Sequence, residues 1–317
     1  MTRLGQTLRG ITALSILGLV TLVGCIPLLP VALVKLCIPL PAVRRLATNA
    51  LIHIADSWIK AANFGLIRIG GCRVNYQQHA TANPNGRFVL ISNHQSWADV
   101  MLLVDVIRPQ FPFPRFFIKE QLRWLPIVGL ACWALDFPFM KRYSRAQVDK
   151  NPSLRNTDMN TVRRACRVYR HWPVTLINYA EGTRSTAAKR AAVDSPYTTM
   201  LPPKAGGTAF AVNAMAGQLD GVLDLTVAYV NTPHPTFWDF VCGRIPEVAI
   251  RLRSLHLPAA LRQGDYSNDP TYRERFKAWL QELWQDKDDE VAAIQDPAQP
   301  QVDFAPALVI DERTGDI

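Results

Sequence analysis

The chain opens on apolar residues that no charge interrupts: from Ile11 to Val34 there are 24 positions without one. At ~1.5 Å of rise per residue, that run is long enough to cross a bilayer. Pro27 and Pro30 fall in its second half, and Pro39 and Pro41 follow. The pattern therefore predicts a membrane anchor over residues 1–45, built as one span or as a re-entrant hairpin bent at the prolines. Arg3 and Arg9 would suit the start of a secretory signal, but the apolar run is too long for one. A second apolar stretch follows Lys35, and basic residues on both flanks leave the orientation open.

Residues 46–70 change to a helical period. Leu51, Ile54, Ala55, Trp58, Ile59, Ala62 and Leu66 recur on one face; Arg45, Asn49, His53, Asp56, Lys60 and Asn63 recur on the other. This predicts an amphipathic helix, lying at a membrane interface or packed on the domain. After Gly70-Gly71, short apolar runs alternate with helical stretches. The strands expected are 73–76, 88–92, 115–118, 137–140, 174–179, 223–230 and 247–252, and the helices 97–107, 157–171, 205–216 and 270–286. Such alternation predicts an α/β domain over 71–286, a mixed sheet flanked by helices. Residues 287–317 are acidic and contain Pro297, Pro300 and Pro306, and read as a flexible tail.

Charge sharpens this division. The chain has 35 Lys and Arg against 26 Asp and Glu. From Asp286 onward there are two basic and nine acidic residues, so the first 285 residues hold 33 against 17. A basic body behind an apolar N-terminus suits an anionic membrane surface. No nucleic-acid motif accompanies the charge, so nucleic acid is not the expected partner. Arg163, Arg164, Arg167 and Arg170 form a stripe on one predicted helix, either a solvated face or a contact with headgroups. The six cysteines lie far apart without a CxxC pair, which gives no zinc site or disulfide framework and suits a reducing compartment.

Candidate chemistry begins where the strand 88–92 runs into Asn93-His94-Gln95-Ser96-Trp97-Ala98-Asp99. A helix opening at Ser96 or Trp97 would let Asp99 swing back to the imidazole of His94. A carboxylate there fixes the tautomer and leaves the other ring nitrogen free to take a proton. A His and an Asp five apart also occur by accident. No GxSxG elbow is present, although Ser92 and Ser96 lie close enough to keep a serine-type lipid esterase in view. A second cluster, Glu181-Gly182-Thr183-Arg184, follows the strand 174–179. Gly182 permits a tight turn, and Arg184 offers a planar fork to phosphate oxygens; the plainer reading is a turn closed by a Glu181–Arg184 ion pair. Lys119 and Arg142, each at a strand end, could hold phosphate or an oxyanion in the same cleft, or simply lie on a solvated surface with Trp124 and Trp133 buried beneath. Pro202-Pro203 stiffen a loop ahead of a small-residue helix.

These blocks, in this order over about residues 85 to 230, resemble the glycerolipid acyltransferase family typified by bacterial 1-acylglycerol-3-phosphate acyltransferase. The matches are His94 and Asp99; Lys119, Pro126, Gly129 and Arg142; Glu181 to Arg184; and Pro202-Pro203. Ala180 departs from the proline usual in that family, which puts acceptor preference in question more than chemistry. The resemblance implies His94 as general base, Asp99 as its orienter, and Glu181 supporting a phosphate site made by Gly182, Thr183 and Arg184. It implies an acyl-CoA or acyl-carrier-protein donor, a lysophospholipid acceptor and no metal or bound cofactor. The function it implies is transfer of an acyl group to 1-acylglycerol-3-phosphate at the cytoplasmic side of a bacterial inner membrane. A different lysophospholipid acceptor is the alternative, and a non-enzymatic basic scaffold the reading furthest from it.

Overall fold

The computed structural model describes residues 2–108, 110–125, 127–141, 143, 147, 150–151, 157–169 and 172–296. Residues 3 to 37 form one unbroken helix, α1 (Arg3–Cys37), in spite of its two prolines. Pro27 and Pro30 each remove a backbone donor. Both face outward, while Cys25, Leu28 and Ala32 stay packed. The chain turns at residues 38–40, beside Pro39 and Pro41 rather than at Pro27 or Pro30, and Pro41 opens α2 (Pro41–Gly70) with its fixed φ. Gly71, at φ +63, ends α2 in the left-handed conformation and donates to Ile67 O.

The seam of α1 repeats every three or four residues, from Gly10 and Ala13 to Cys25, Leu28, Ala32 and Lys35. It lies against α2, where Trp58 Nε1 donates to Thr21 Oγ1 at 3.2 Å. The opposite face exposes Leu19, Leu22, Ile26 and Leu33. Both ends of α1 are tied to other parts of the chain. Arg9 Nε donates to Ile69 O, and buried Lys35 donates to Ala134 O at 2.6 Å and Asp136 Oδ2 at 2.7 Å. The polar face expected for α2 is partly turned inward. Asn63 is buried and donates to Met101 O and Asp105 Oδ1, and Asp56 pairs with Arg108.

The domain follows as β1 (Arg73–His79), β2 (Arg87–Ser92), α3 (Ala98–Ile107), β3 (Pro114–Phe116) and β4 (Ile118–Lys119). Then come a 3₁₀ turn (Glu120–Trp124), α4 (Val128–Ala134), β5 (Phe139–Met140), α5 (Thr157–Tyr169) and β6 (Val174–Tyr179). The chain continues through α6 (Ala187–Ala192), α7 (Ala205–Ala214), β7 (Gly221–Tyr229), α8 (Phe237–Val241), β8 (Glu247–Leu255), α9 (Ala259–Arg262) and α10 (Pro270–Gln295). The sheet order is β1-β8-β7-β2-β6-β3; β7 and β8 pair antiparallel and the other neighbours parallel. It is the mixed α/β sheet that the sequence pattern predicts. Side chains on β2 alternate between its two faces. Phe88 and Leu90 join α3, while Val89 and Ile91 join α5, α7 and α10.

Several boundaries differ from expectation. The helix expected over 46–70 begins at Pro41, and β1 and β8 each run three residues longer. The strand expected at 115–118 is split: β3 joins the main sheet through β6, whereas β4 pairs only with β5. The strand expected at 137–140 is reduced to β5. The last helix continues to Gln295, because Lys287, Asp288, Val291 and Ile294 are buried against the domain; residues 287–295 are therefore not tail.

Connections leave β2 and β6 in opposite directions. β2 leads through α3 to β3, beyond β6, and β6 leads back to β7, beyond β2. Adjacent parallel strands whose connections diverge leave a crevice at their carboxyl ends. Ser92 and Tyr179, their last residues, lie side by side there.

Candidate active site

The segment after β2 wraps around one buried carboxylate. Asp99, in the first turn of α3, accepts through Oδ2 from His94 Nδ1 at 2.8 Å, Gln95 N at 2.7 Å and Ser96 N at 2.9 Å. Its Oδ1 accepts from the Tyr229 hydroxyl. Two backbone N–H groups and a phenol already donate to Asp99, which as an acceptor favours the His94 tautomer with its proton on Nδ1 and the lone pair on Nε2. Asn93 pins the same segment to β7, with Nδ2 donating to Val227 O at 2.8 Å and Oδ1 accepting from Val227 N at 2.9 Å. The carboxamide thus pairs with a strand peptide much as another peptide would.

The imidazole lies flat on the ring of Tyr179, with centroids 4.1 Å apart and 17° between the planes. Burial, and after it the nearby Asp99, push the Tyr179 and Tyr229 phenols well above their ordinary values, so both keep their protons. The Tyr179 hydroxyl is buried with no hydrogen-bond partner among the described residues.

Glu181 does not pair with Arg184 in the way the plain turn reading supposed. Its Oε1 accepts from His94 N at 2.8 Å and its Oε2 from Leu201 N at 2.9 Å. Burial raises its pKa to about 8, against the opposing pull of those two N–H groups. Ser185 N donates to His94 O at 2.7 Å, so the 180s loop holds both backbone groups of His94. Gly182, at φ +73, makes the turn that a side chain would strain.

Cations rim this loop. Lys189 Nζ donates to Thr183 Oγ1 at 2.8 Å and Arg184 O at 2.9 Å. The Arg184 guanidinium sits 5.0 Å above the ring of exposed Trp97. Lys204 passes beside Gly182. Burial lowers the Lys189 pKa, and Arg184 and Lys119 lower it further, so Lys119 shares the field of this cluster. The structure thus gathers His94, Asp99, Glu181, Gly182, Thr183 and Arg184, with Lys119 at the edge. Arg142 lies outside the described residues, as do Pro126 and Arg170. Arg163, Arg164 and Arg167 are exposed on α5, and so is Trp124, which the solvated-surface alternative had placed beneath the surface. Trp133 is partly buried, packed at the edge of the core formed by α1, α2 and α4.

Ser92 Oγ donates to Asn93 O at 3.0 Å, and Ser96 Oγ accepts from Ala98 N at 3.4 Å and also pairs with the Tyr229 side chain, so among the described residues neither hydroxyl engages the imidazole. The sequence reading missed Asn93, Tyr179, Tyr229, Lys189 and Lys204. Lys189 had a visible signal, a cation five residues beyond Arg184. The α10 contacts had none. Asp288 accepts from Thr199 N and Oγ1, Trp284 Nε1 donates to Leu201 O at 3.0 Å, and Gln295 Nε2 donates to Gln95 Oε1 at 3.0 Å.

A family profile described as Acyltransferase matches residues 73–230, about half of the chain and all of this site. The chain is 22% identical over 235 residues to mouse 1-acyl-sn-glycerol-3-phosphate acyltransferase epsilon, covering 67% of this chain and 59% of that protein. It is 23% identical to the 2-acyl-1-lysophosphatidylinositol acyltransferase of Saccharomyces cerevisiae, covering 63% and 59%. The chain thus spans about three fifths of the length of these relatives. The crystal structure of the 1-acyl-sn-glycerophosphate acyltransferase PlsC from Thermotoga maritima is similar in fold, with a TM-score of 0.52 at 17% identity, covering 89% of this chain and 99% of that one. With the motif blocks in order on a matching fold, this chain belongs to the PlsC-like acyltransferase family.

Proposed function

We propose that the chain transfers a fatty acyl group from a thioester, acyl-CoA or acyl-carrier protein, to the free hydroxyl of 1-acylglycerol-3-phosphate, giving phosphatidic acid. The observation that carries this reading is the pairing of a single-tautomer His94 with a cation-rimmed loop held to its own backbone. His94 Nε2 takes the proton of the acceptor hydroxyl as that oxygen attacks the thioester carbonyl. The tetrahedral intermediate then collapses, the C–S bond breaks, and the imidazolium returns the proton to the departing thiolate. Asp99 holds Nδ1–H throughout and stabilises the transient imidazolium. Arg184, with Gly182 and Thr183, grips the phosphate; Lys119 and Arg142 add positive charge at its edge. Glu181 touches no substrate and keeps the two loops in register. No metal or cofactor enters this scheme.

The exposed apolar face of α1 and the basic body support attachment to an anionic bilayer, which we assign to a bacterial inner membrane with the domain on the cytoplasmic side. An acceptor with a larger headgroup remains the second reading, favoured by the relative whose name specifies lysophosphatidylinositol. The test is acyl transfer by the full chain in liposomes, offered 1-acylglycerol-3-phosphate, lysophosphatidylinositol and lysophosphatidylcholine separately. Preference for the phosphate monoester supports the proposal; equal or greater turnover of either phosphodiester overturns the acceptor assignment.

A further inference from the structure

Trp124, Leu125, Ile127 and Val128 turn their apolar side chains toward solvent. Trp124 is 81% exposed, and Leu125, Ile127 and Val128 are exposed beside it. The turn is tight rather than slack. Ile127 sits at φ +67, a region a β-branched residue occupies only where its surroundings impose it. Gly129 N donates to Leu125 O at 2.8 Å, and a Cβ on Gly129 would lie 2.1 Å from Arg123 O. A strained backbone that holds a tryptophan in water gains nothing within the chain itself. A contiguous apolar patch of this kind marks a surface that something else covers.

Two observations identify the cover. The first is charge: exposed Lys119 and Arg123 precede the turn, Arg123 over the Phe139 ring at 5.0 Å, and Lys141 follows β5 with its ammonium 4.0 Å from Glu120. Tryptophan among basic residues suits the boundary of an anionic bilayer, where the ring sits at headgroup level and the cations meet lipid phosphates. The second is continuity. Helix α4 starts at Val128, and its residues Leu130, Ala131 and Ala134 pack with Leu28, Val31 and Ala32 of α1. The turn therefore extends the outward apolar surface of α1, where Leu29, Leu33, Val34 and Leu36 are exposed.

We propose that the turn formed by Trp124, Leu125, Ile127 and Val128 inserts into the same lipid surface as α1, as a second membrane contact beside the cation rim. It rests on the membrane reading above and adds a location to it. The rim at Lys119, Arg184 and Lys189 then faces the headgroup layer from which the acceptor enters, and insertion beside it shortens the path of a lysolipid from bilayer to crevice.

The experiment uses the full chain with Cys37→Ser and Trp124→Cys, labelled with a nitrobenzoxadiazole fluorophore, and Cys37→Ser alone as the labelling background. Vesicles contain phosphatidylglycerol, phosphatidylcholine and a fraction of lipid with nitroxide on the acyl chain. The expected result is blue-shifted emission, quenched by the nitroxide chains and protected from aqueous iodide. Protein that floats with the vesicles while its label stays open to iodide overturns the insertion and leaves the anchor standing, as it would if a soluble partner covered the turn. Protein that does not float overturns both. In parallel, Trp124→Ser should raise KM for a vesicle-borne acceptor about tenfold, roughly one large apolar side chain's worth of transfer free energy, with kcat unchanged and a monomeric short-chain acceptor unaffected. Loss of kcat on both acceptors would assign Trp124 a structural role and overturn the proposal.

Discussion

The backbone N–H of His94 donates to Glu181 Oε1 at 2.8 Å, so the first residue of one motif block hangs on the first residue of another. The second oxygen of Glu181 holds Leu201 N at 2.9 Å, just ahead of the proline block. Three segments distant in sequence thus meet at one buried carboxyl group, and the placement of the imidazole depends on it.

Glu181→Gln puts an amide NH₂ against one of those two N–H donors. It should lower kcat by at least about tenfold, the cost of one buried hydrogen bond lost plus the repulsion, with a smaller change in KM. Steady-state kinetics of the two proteins check it.

The same carboxyl makes stability depend on pH. Its pKa is about 8 in the fold and 4.5 as the ordinary value. Between those two values the native state binds a proton that the unfolded state has released, so stability falls as pH rises through that window and levels off above it. Thermal melts from pH 5 to 9 should show this slope in the wild type and a reduced slope in Glu181→Gln.

Asp99→Asn should cost roughly 10³–10⁴ in kcat. Asparagine cannot accept from three N–H groups with one oxygen and keep its own NH₂ clear of them, so the imidazole loses its tautomer. A pH–rate profile that keeps its shape at near wild-type rate would count against this role for Asp99.

Tyr179 separates a ring from its hydroxyl. The hydroxyl is buried without a partner among the described residues, so Tyr179→Phe should leave activity intact and stability equal or higher. Tyr179→Ala removes the surface on which His94 stacks and should lower kcat while opening a cavity, at roughly 3–5 kcal/mol of stability. Kinetics and urea denaturation of both variants distinguish the two parts of the side chain.

The sheet, its helices and the approach of His94 to Asp99 were legible because each is written locally. The short apolar runs of β2 and β6, and a carboxylate in the first turn of α3, need no distant partner to be read. Lys35, Asn93 and α10 beyond Asp286 were not legible. Lys35 looked like an anchor's flanking charge, but its ammonium is buried on Ala134 O and Asp136, about a hundred residues away. Residues 287–295 looked like an acidic tail, yet Lys287 is buried on Asp224 Oδ1 at 2.5 Å, Leu225 O and Thr226 Oγ1. Charge composition cannot tell a solvated residue from one whose counterion lies on a distant strand. Of the prolines that suggested a bend, Pro27 and Pro30 lie within the unbroken α1, and the turn falls beside Pro39 and Pro41.

His94 is the residue on which the whole account turns. The direct measurement is the rate of phosphatidic acid formation from 1-acylglycerol-3-phosphate and a long-chain acyl thioester, by reconstituted wild-type protein and by His94→Ala. The account expects wild-type activity and a loss of at least about 10²–10⁴-fold in the variant, the range for a positioned general base, with vesicle binding unchanged. Turnover by His94→Ala near the wild-type rate would contradict it.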